Sequence, residues 1–145
     1  MTSEIDALQA TLAAAHAAVY VFGLLGSRPS ETAEPELYTA LRAAYEAHRD
    51  SRDTLTGEVA ALGGTPSPAA AAYTPPTGLD TPEGRYAAAL ALEKSCTDTY
   101  GALVGATSGA RRAGAIGLLN NAAARELSFR GTPEIFPGAD EYADR

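Results

Sequence analysis

The sequence predicts an all-α protein, a bundle of four helices. Alanine makes up about a fifth of the 145 residues, there is no Trp, and β-branched residues are few, a composition that favours helices over strands. Core-type residues recur three and four apart in four separate stretches, the period of a helix with one buried stripe. Proline stands at helix-start positions and glycine at helix-end positions around these stretches. At this length one domain, 1–145, is expected, with a single substantial core.

The first helix is expected over 4–26. Ser3 caps it, with Asp6 three residues on, and its seam reads Ile5, Leu8, Leu12, Ala15, Val19, Phe22. From Ala13 onward its other faces are apolar too, which places it centrally, at a subunit interface, or both. That second apolar face predicts a homodimer through the first helix. The competing account has Tyr73–Pro76 of a later connection, or Ile135 and Phe136 of the tail, covering Val21, Leu24 and Leu25.

The second helix, 35–62, opens on Pro35 and stops before Gly63–Gly64. Leu37, Leu41, Ala44, His48, Ser51, Leu55 and, past a polar Glu58, Leu62 form its seam. His48 and Ser51 therefore sit where a core is expected. The third helix, 82–107, has Thr81 as cap and Pro82 at its first position, with Tyr86, Ala89, Glu93, Cys96, Tyr100 and Leu103 inward. A turn near Ser108–Gly109 leads to the fourth helix, 111–130. Its seam is Ala115, Leu119, Ala122, Glu126 and Phe129, and a register one residue over fits almost as well. The tail, 131–145, is too rich in Pro and Gly for a helix; Ile135 and Phe136 are expected to dock on the bundle, leaving the acidic end loose.

Charge and cysteine usage narrow the function classes. A formal net charge of −7 and a pI near 4.7 argue against nucleic acid or an anionic membrane as partner. Cys96 is the one cysteine, so no intrachain disulfide forms, and on the seam it reads as packing rather than as a nucleophile. The N-terminus lacks the basic start of a secretory signal, and the apolar run 12–26, interrupted by His16, is short for a membrane span. A soluble, cytoplasmic protein is expected. The Arg49–Arg52 and Asp50–Asp53 cluster reads as a solvated face. Arg111 and Arg112 at a helix start leave room for a small anion or a partner contact.

Between the second and third helices lies TPSPAAAAYTPPTGLDT, without helical or strand period. Extended, its roughly 17 residues reach ~55 Å, enough to return along a second helix roughly 42 Å long; the alternative is a flexible linker between two hairpins. Two hairpins joined by one long crossover are the topology of ferritin-like bundles. The second and third helices then run parallel, with His48 ~20 Å and Glu93 ~17 Å from their first residues, facing each other in one layer. Ala15 and His16 of the first helix and about 119–122 of the fourth reach that level.

A di-iron centre there needs a Glu from each of two helices and a Glu-x-x-His pair from each of the others. Tyr45 stands where an acid should precede His48, Ala15 occupies the first-helix place, and the fourth helix has no His. At best two of six ligands are present, so no metal or other cofactor is expected. A reduced site of His48, Glu93 and His16 holding iron, manganese or zinc is the alternative. The simpler reading has His48 and Glu93 satisfying each other, with Tyr20, Tyr45 or Tyr100 as hydroxyl donors.

The segments ALQATLAAAHAAVYVFGLLG, AAYEAHRDSRDTL, AALGGTP, LEKSCTDTYGALV and FRGTPEIFPG together resemble a family of small, alanine-rich ferritin-like proteins of unknown function from high-GC bacteria. The resemblance spans nearly the whole chain and implies the ferritin-like fold. It also implies a Glu just before the first-helix His, where this chain has Ala15. No activity comes with it. The expected function is a structural or interaction module without a working di-iron centre, not an enzyme. The rivals are a metal-binding protein or metal-dependent oxidoreductase using His48 and Glu93, and a small-ligand binder with a pocket near Tyr45 and Tyr100.

Overall fold

A computed structural model of the chain describes residues 2–133 and 135–139. Its four helices are α1 (Glu4–Gly26), α2 (Pro35–Ala61), α3 (Pro82–Ala106) and α4 (Gly109–Ser128), and no strand occurs among the described residues. The starts follow the cap chemistry. Ser3 Oγ accepts from Asp6 N at 3.2 Å and Thr81 Oγ1 from Gly84 N at 3.1 Å, satisfying amides that have no partner inside the helix. The α3–α4 turn is only Thr107 and Ser108, both extended.

α1 packs along α2, α3 along α4, and α1 along α3. End contacts fix the directions. Arg111 at the start of α4 reaches Glu58 near the end of α2 at 2.8 Å and Glu4 at the start of α1 at 3.7 Å. Arg112 donates to Val104 O in the last turn of α3 at 3.1 Å. The two arginines, which left room for an anion or partner contact, thus hold one end of the bundle together. At the other end Arg85 in the first turn of α3 pairs with Glu34, the residue before α2, at 2.7 Å. α2 and α3 therefore run parallel.

The connection between them lies along α1. Gln9 exchanges bonds with Thr65 O and Ser67 N, at 2.7 and 2.9 Å. His16 Nε2 meets Ser67 O at 3.0 Å, and Tyr20 stacks on Tyr73 with centroids 5.2 Å apart. Arg28 then reaches Asp80 at 3.8 Å. A segment that is non-periodic in sequence is thus pinned by side chains of α1 over the full length of the bundle. It lies on the face of α1 that carries Gln9, His16 and Tyr20.

The buried stripes follow the expected seams with rotations. On α2 the interior is Leu37, Leu41, Ala44, His48, Ser51 and Leu55, with Val59 in place of Leu62. On α1 Ala18 and Leu25 are interior and Ile5 and Val19 lie nearer the rim; on α3 Arg85 rather than Tyr86 is buried. Ala115, Ala122, Glu126 and Phe129 are buried on or just after α4, while Leu119 is only partly covered. One apolar cluster, with Phe22, Leu41, Tyr100 and Phe129, fills the half where α2 and α3 begin. A second, with Leu8, Leu12, Leu55 and Leu103, fills the other.

The tail departs from expectation. Ile135 and Phe136 are 75% and 67% exposed, so neither buries its side chain in the bundle. Backbone makes the contact instead. Gly138, at φ 77°, lies so close to α3 that a Cβ there would stand 2.6 Å from Thr97 O. With glycine as the docking residue, the flanking apolar side chains are turned outward. The acidic end lies outside the described residues.

Candidate functional site

The expected juxtaposition of His48 and Glu93 is present. Both are fully buried, and His48 Nε2 lies 3.0 Å from Glu93 Oε1. What the sequence reading omitted is Arg125 of α4. Its Nε donates to Glu93 Oε1 at 2.8 Å and its Nη2 to Oε2 at 3.3 Å. The layer is therefore a chain of three groups on three helices: the His48 ring, the Glu93 carboxylate and the Arg125 guanidinium. α1 joins through Phe22, whose ring stacks on His48 at 5.0 Å.

The electrostatics are those of a closed pair. A buried carboxylate is costly unless paired and hydrogen-bonded. Here the guanidinium supplies charge and two donors in its fork geometry. With Glu93 so held, the 3.0 Å contact places the bridging proton on His48 Nε2. His48 Nδ1 is buried with no hydrogen-bond partner among the described residues. None of the expected tyrosine donors is hydrogen-bonded to the pair: Tyr20 stacks on Tyr73, Tyr45 lies beneath the Arg49 guanidinium, and Tyr100 is buried on the same helix as Glu93. Burial pushes the Tyr100 hydroxyl pKa well up.

His16, the third residue of the expected reduced site, is not brought to this layer; it is held by Ser67 of the connection. Cys96 stands there instead. One ligand atom from each of His48, Glu93 and Cys96 lies within 4.8 Å of the others. That set suits a borderline cation such as zinc by donor type. Its surroundings do not suit one. Both Glu93 oxygens accept from Arg125, so an incoming cation would meet a guanidinium at contact distance. Burial, with Glu93 next, pushes the Cys96 thiol pKa up to about 12, and the thiolate is the form that ligates. A di-iron centre fits worse still, because α1 gives Ala15 and α4 gives Ala122 and Arg125 where carboxylates and histidines would be needed.

A second buried acid, Glu126, accepts from Thr97 Oγ1 at 3.1 Å, so the α3–α4 seam carries a second polar contact beside the layer. Arg125 could have been found from the α4 register one residue back, which turns Leu118 and Arg125 inward in place of Leu119 and Glu126. The fourth helix was expected to reach the layer at 119–122. The contact comes one turn later because side chains on a helix lean toward its N-terminus, and a long one reaches back over the preceding turn.

Comparison with solved structures gives the crystal structure of a conserved hypothetical protein, rv2844, from Mycobacterium tuberculosis. It superposes with a TM-score of 0.79 over 88% of this chain and 94% of that one, at 24% identity; a likeness at that identity carries the fold alone. No curated protein matches. One family profile, described as a domain of unknown function (DUF4439), matches residues 7–141. With nearly its whole length inside that match, the chain belongs to this family of unknown function.

Proposed function

We propose that the chain is a ferritin-like bundle in which an internal Arg–Glu–His layer takes the place of a di-metal centre, and that it serves as a cytoplasmic structural or interaction module rather than as an enzyme. One observation carries this reading: Arg125 donates to both oxygens of Glu93. The groups of a would-be cation site are then occupied with one another, and what they accomplish is to tie α2, α3 and α4 at one level. The crossover along α1 is the topology that supports the ferritin-like kinship.

The second reading, a metal-binding protein or metal-dependent oxidoreductase, draws on the His48–Glu93–Cys96 grouping. Elemental analysis of protein purified without chelators separates the two. Iron, manganese and zinc each well below one per chain support the module. One or two metals per chain, lost on Glu93→Gln, overturn it. The homodimer through α1 rests on Val21, Leu24 and the exposed part of Tyr20. A monomeric mass by light scattering at micromolar concentration removes it, and a dimeric mass supports it.

A further inference from the structure

Beside the polar layer, between α1 and α2, lies a hollow of about 330 Å³. Phe22 and Leu41, both fully buried, lie behind it, and Tyr38 and Tyr45 line it. Two glycines of α1, Gly23 and Gly26, open the remaining side. Gly26 is the last residue of α1, but Gly23 lies inside the helix, where glycine costs stability relative to alanine, so its presence asks for a reason. Neither residue has a positive φ. A Cβ on Gly26 would meet nothing within 4 Å, and one on Gly23 would make only ordinary contact with the Tyr45 ring at 3.4 Å. Packing does not require either glycine; together they leave room.

The hollow's polar character points one way. Among the described residues Arg42 is its one charged lining residue and no acid lines it, in a chain whose net charge is −7. Glu46, one turn on, takes Arg42 Nε at 3.3 Å in an exposed pair, of a kind that gives little net stability. The guanidinium has further N–H donors, and the tyrosines add two hydroxyls. The back of the hollow is already set, because Phe22 is fixed between the His48 ring at 5.0 Å and the Phe129 ring at 5.8 Å. A small pocket with an aromatic lining, a fixed back and a single cationic rim group suits a planar apolar body carrying one anionic end.

We propose that this hollow binds a planar aromatic carboxylate, its ring between Tyr38 and Tyr45 and its carboxylate on Arg42. The inference goes beyond the module reading and does not depend on the metal question, since no residue of the Arg125–Glu93–His48 chain lines the hollow. Indole-3-acetate is the probe, with neutral indole-3-acetamide as control. The chain has no Trp, so indole emission belongs to the probe alone. The acid is expected to bind saturably and the amide about tenfold more weakly. Arg42→Gln should bring the acid down to the amide's level. Gly26→Leu, whose side chain enters open space, should remove binding of both and leave the thermal melt unchanged. Absence of saturable binding at millimolar probe, equal affinity for acid and amide, or undiminished binding by Gly26→Leu would overturn the proposal.

Discussion

The bundle holds one arginine–glutamate pair at its middle and another at one end, and the two are built the opposite way round. In the middle the carboxylate is fully buried and the arginine side chain is 18% exposed; at the end the Arg85 side chain is 8% exposed and Glu34 22%. Arg85 has a second acceptor, Leu79 O at 2.8 Å, whereas the other contact of Glu93 is a histidine ring. The difference teaches which partner each pair can spare. Arg85, itself buried, keeps the Leu79 carbonyl when its acid is lost. Glu93, once its arginine is gone, keeps only the histidine ring.

The largest effect should therefore come from Arg125→Met. It strands Glu93 beside His48 in a dry layer, at an expected cost of about 3–5 kcal/mol, the range for breaking a buried pair, read from urea denaturation. If the loss were under about 1 kcal/mol, Arg125 would not be the charge partner that stabilises Glu93. Glu34→Gln at the other end keeps a hydrogen-bonding group and leaves Arg85 bound to Leu79 O, so about 1–3 kcal/mol is expected in the same assay. A loss equal to that of Arg125→Met would remove the distinction between the two pairs.

These two arginines also mark the limit of what the sequence displayed. His48 and Glu93 were legible because each interrupts an apolar seam at a fixed helical phase, and two parallel helices starting at one end put them at one height. The crossover was legible because its length matches the helix it must retrace. Arg125 and Arg85 lie beside their seams, where arginine is ordinarily a surface residue, and only the reach of the side chain brings the charge inside. The docking of Gly138 was hidden for a related reason. Apolar Ile135 and Phe136 drew attention, while the contact is made by a residue with no side chain.

Gly138→Ala tests that last point. The left-handed backbone and the carbonyl 2.6 Å from a new Cβ should make it cost about 1–2 kcal/mol, with the tail becoming protease-sensitive while helix content by circular dichroism is kept. Unchanged protease resistance would show that the tail is held by other contacts. The smallest expected effect is alkaline. Cys96 rises from an ordinary 9.0 to about 12 in the fold. The folded state keeps this proton while the unfolded chain releases it above about pH 9, so stability is whole below pH 9 and declines between pH 9 and 12. At pH 10 the loss is about 1 kcal/mol, and Tyr100 adds a loss of the same sign at higher pH. Cys96→Ala should flatten this slope between pH 8 and 10; an unchanged slope would assign the alkaline loss to other groups.

The central claim, that Arg125 rather than a metal ion is the cation serving Glu93, is tested most directly by a denaturation cycle of Arg125→Met, Glu93→Leu and the pair. The account predicts that the pair is more stable than Arg125→Met alone, because removing the stranded carboxylate relieves the penalty that the single change creates. Single losses that add to within about 0.5 kcal/mol in the pair would show the residues to be uncoupled, and would contradict it.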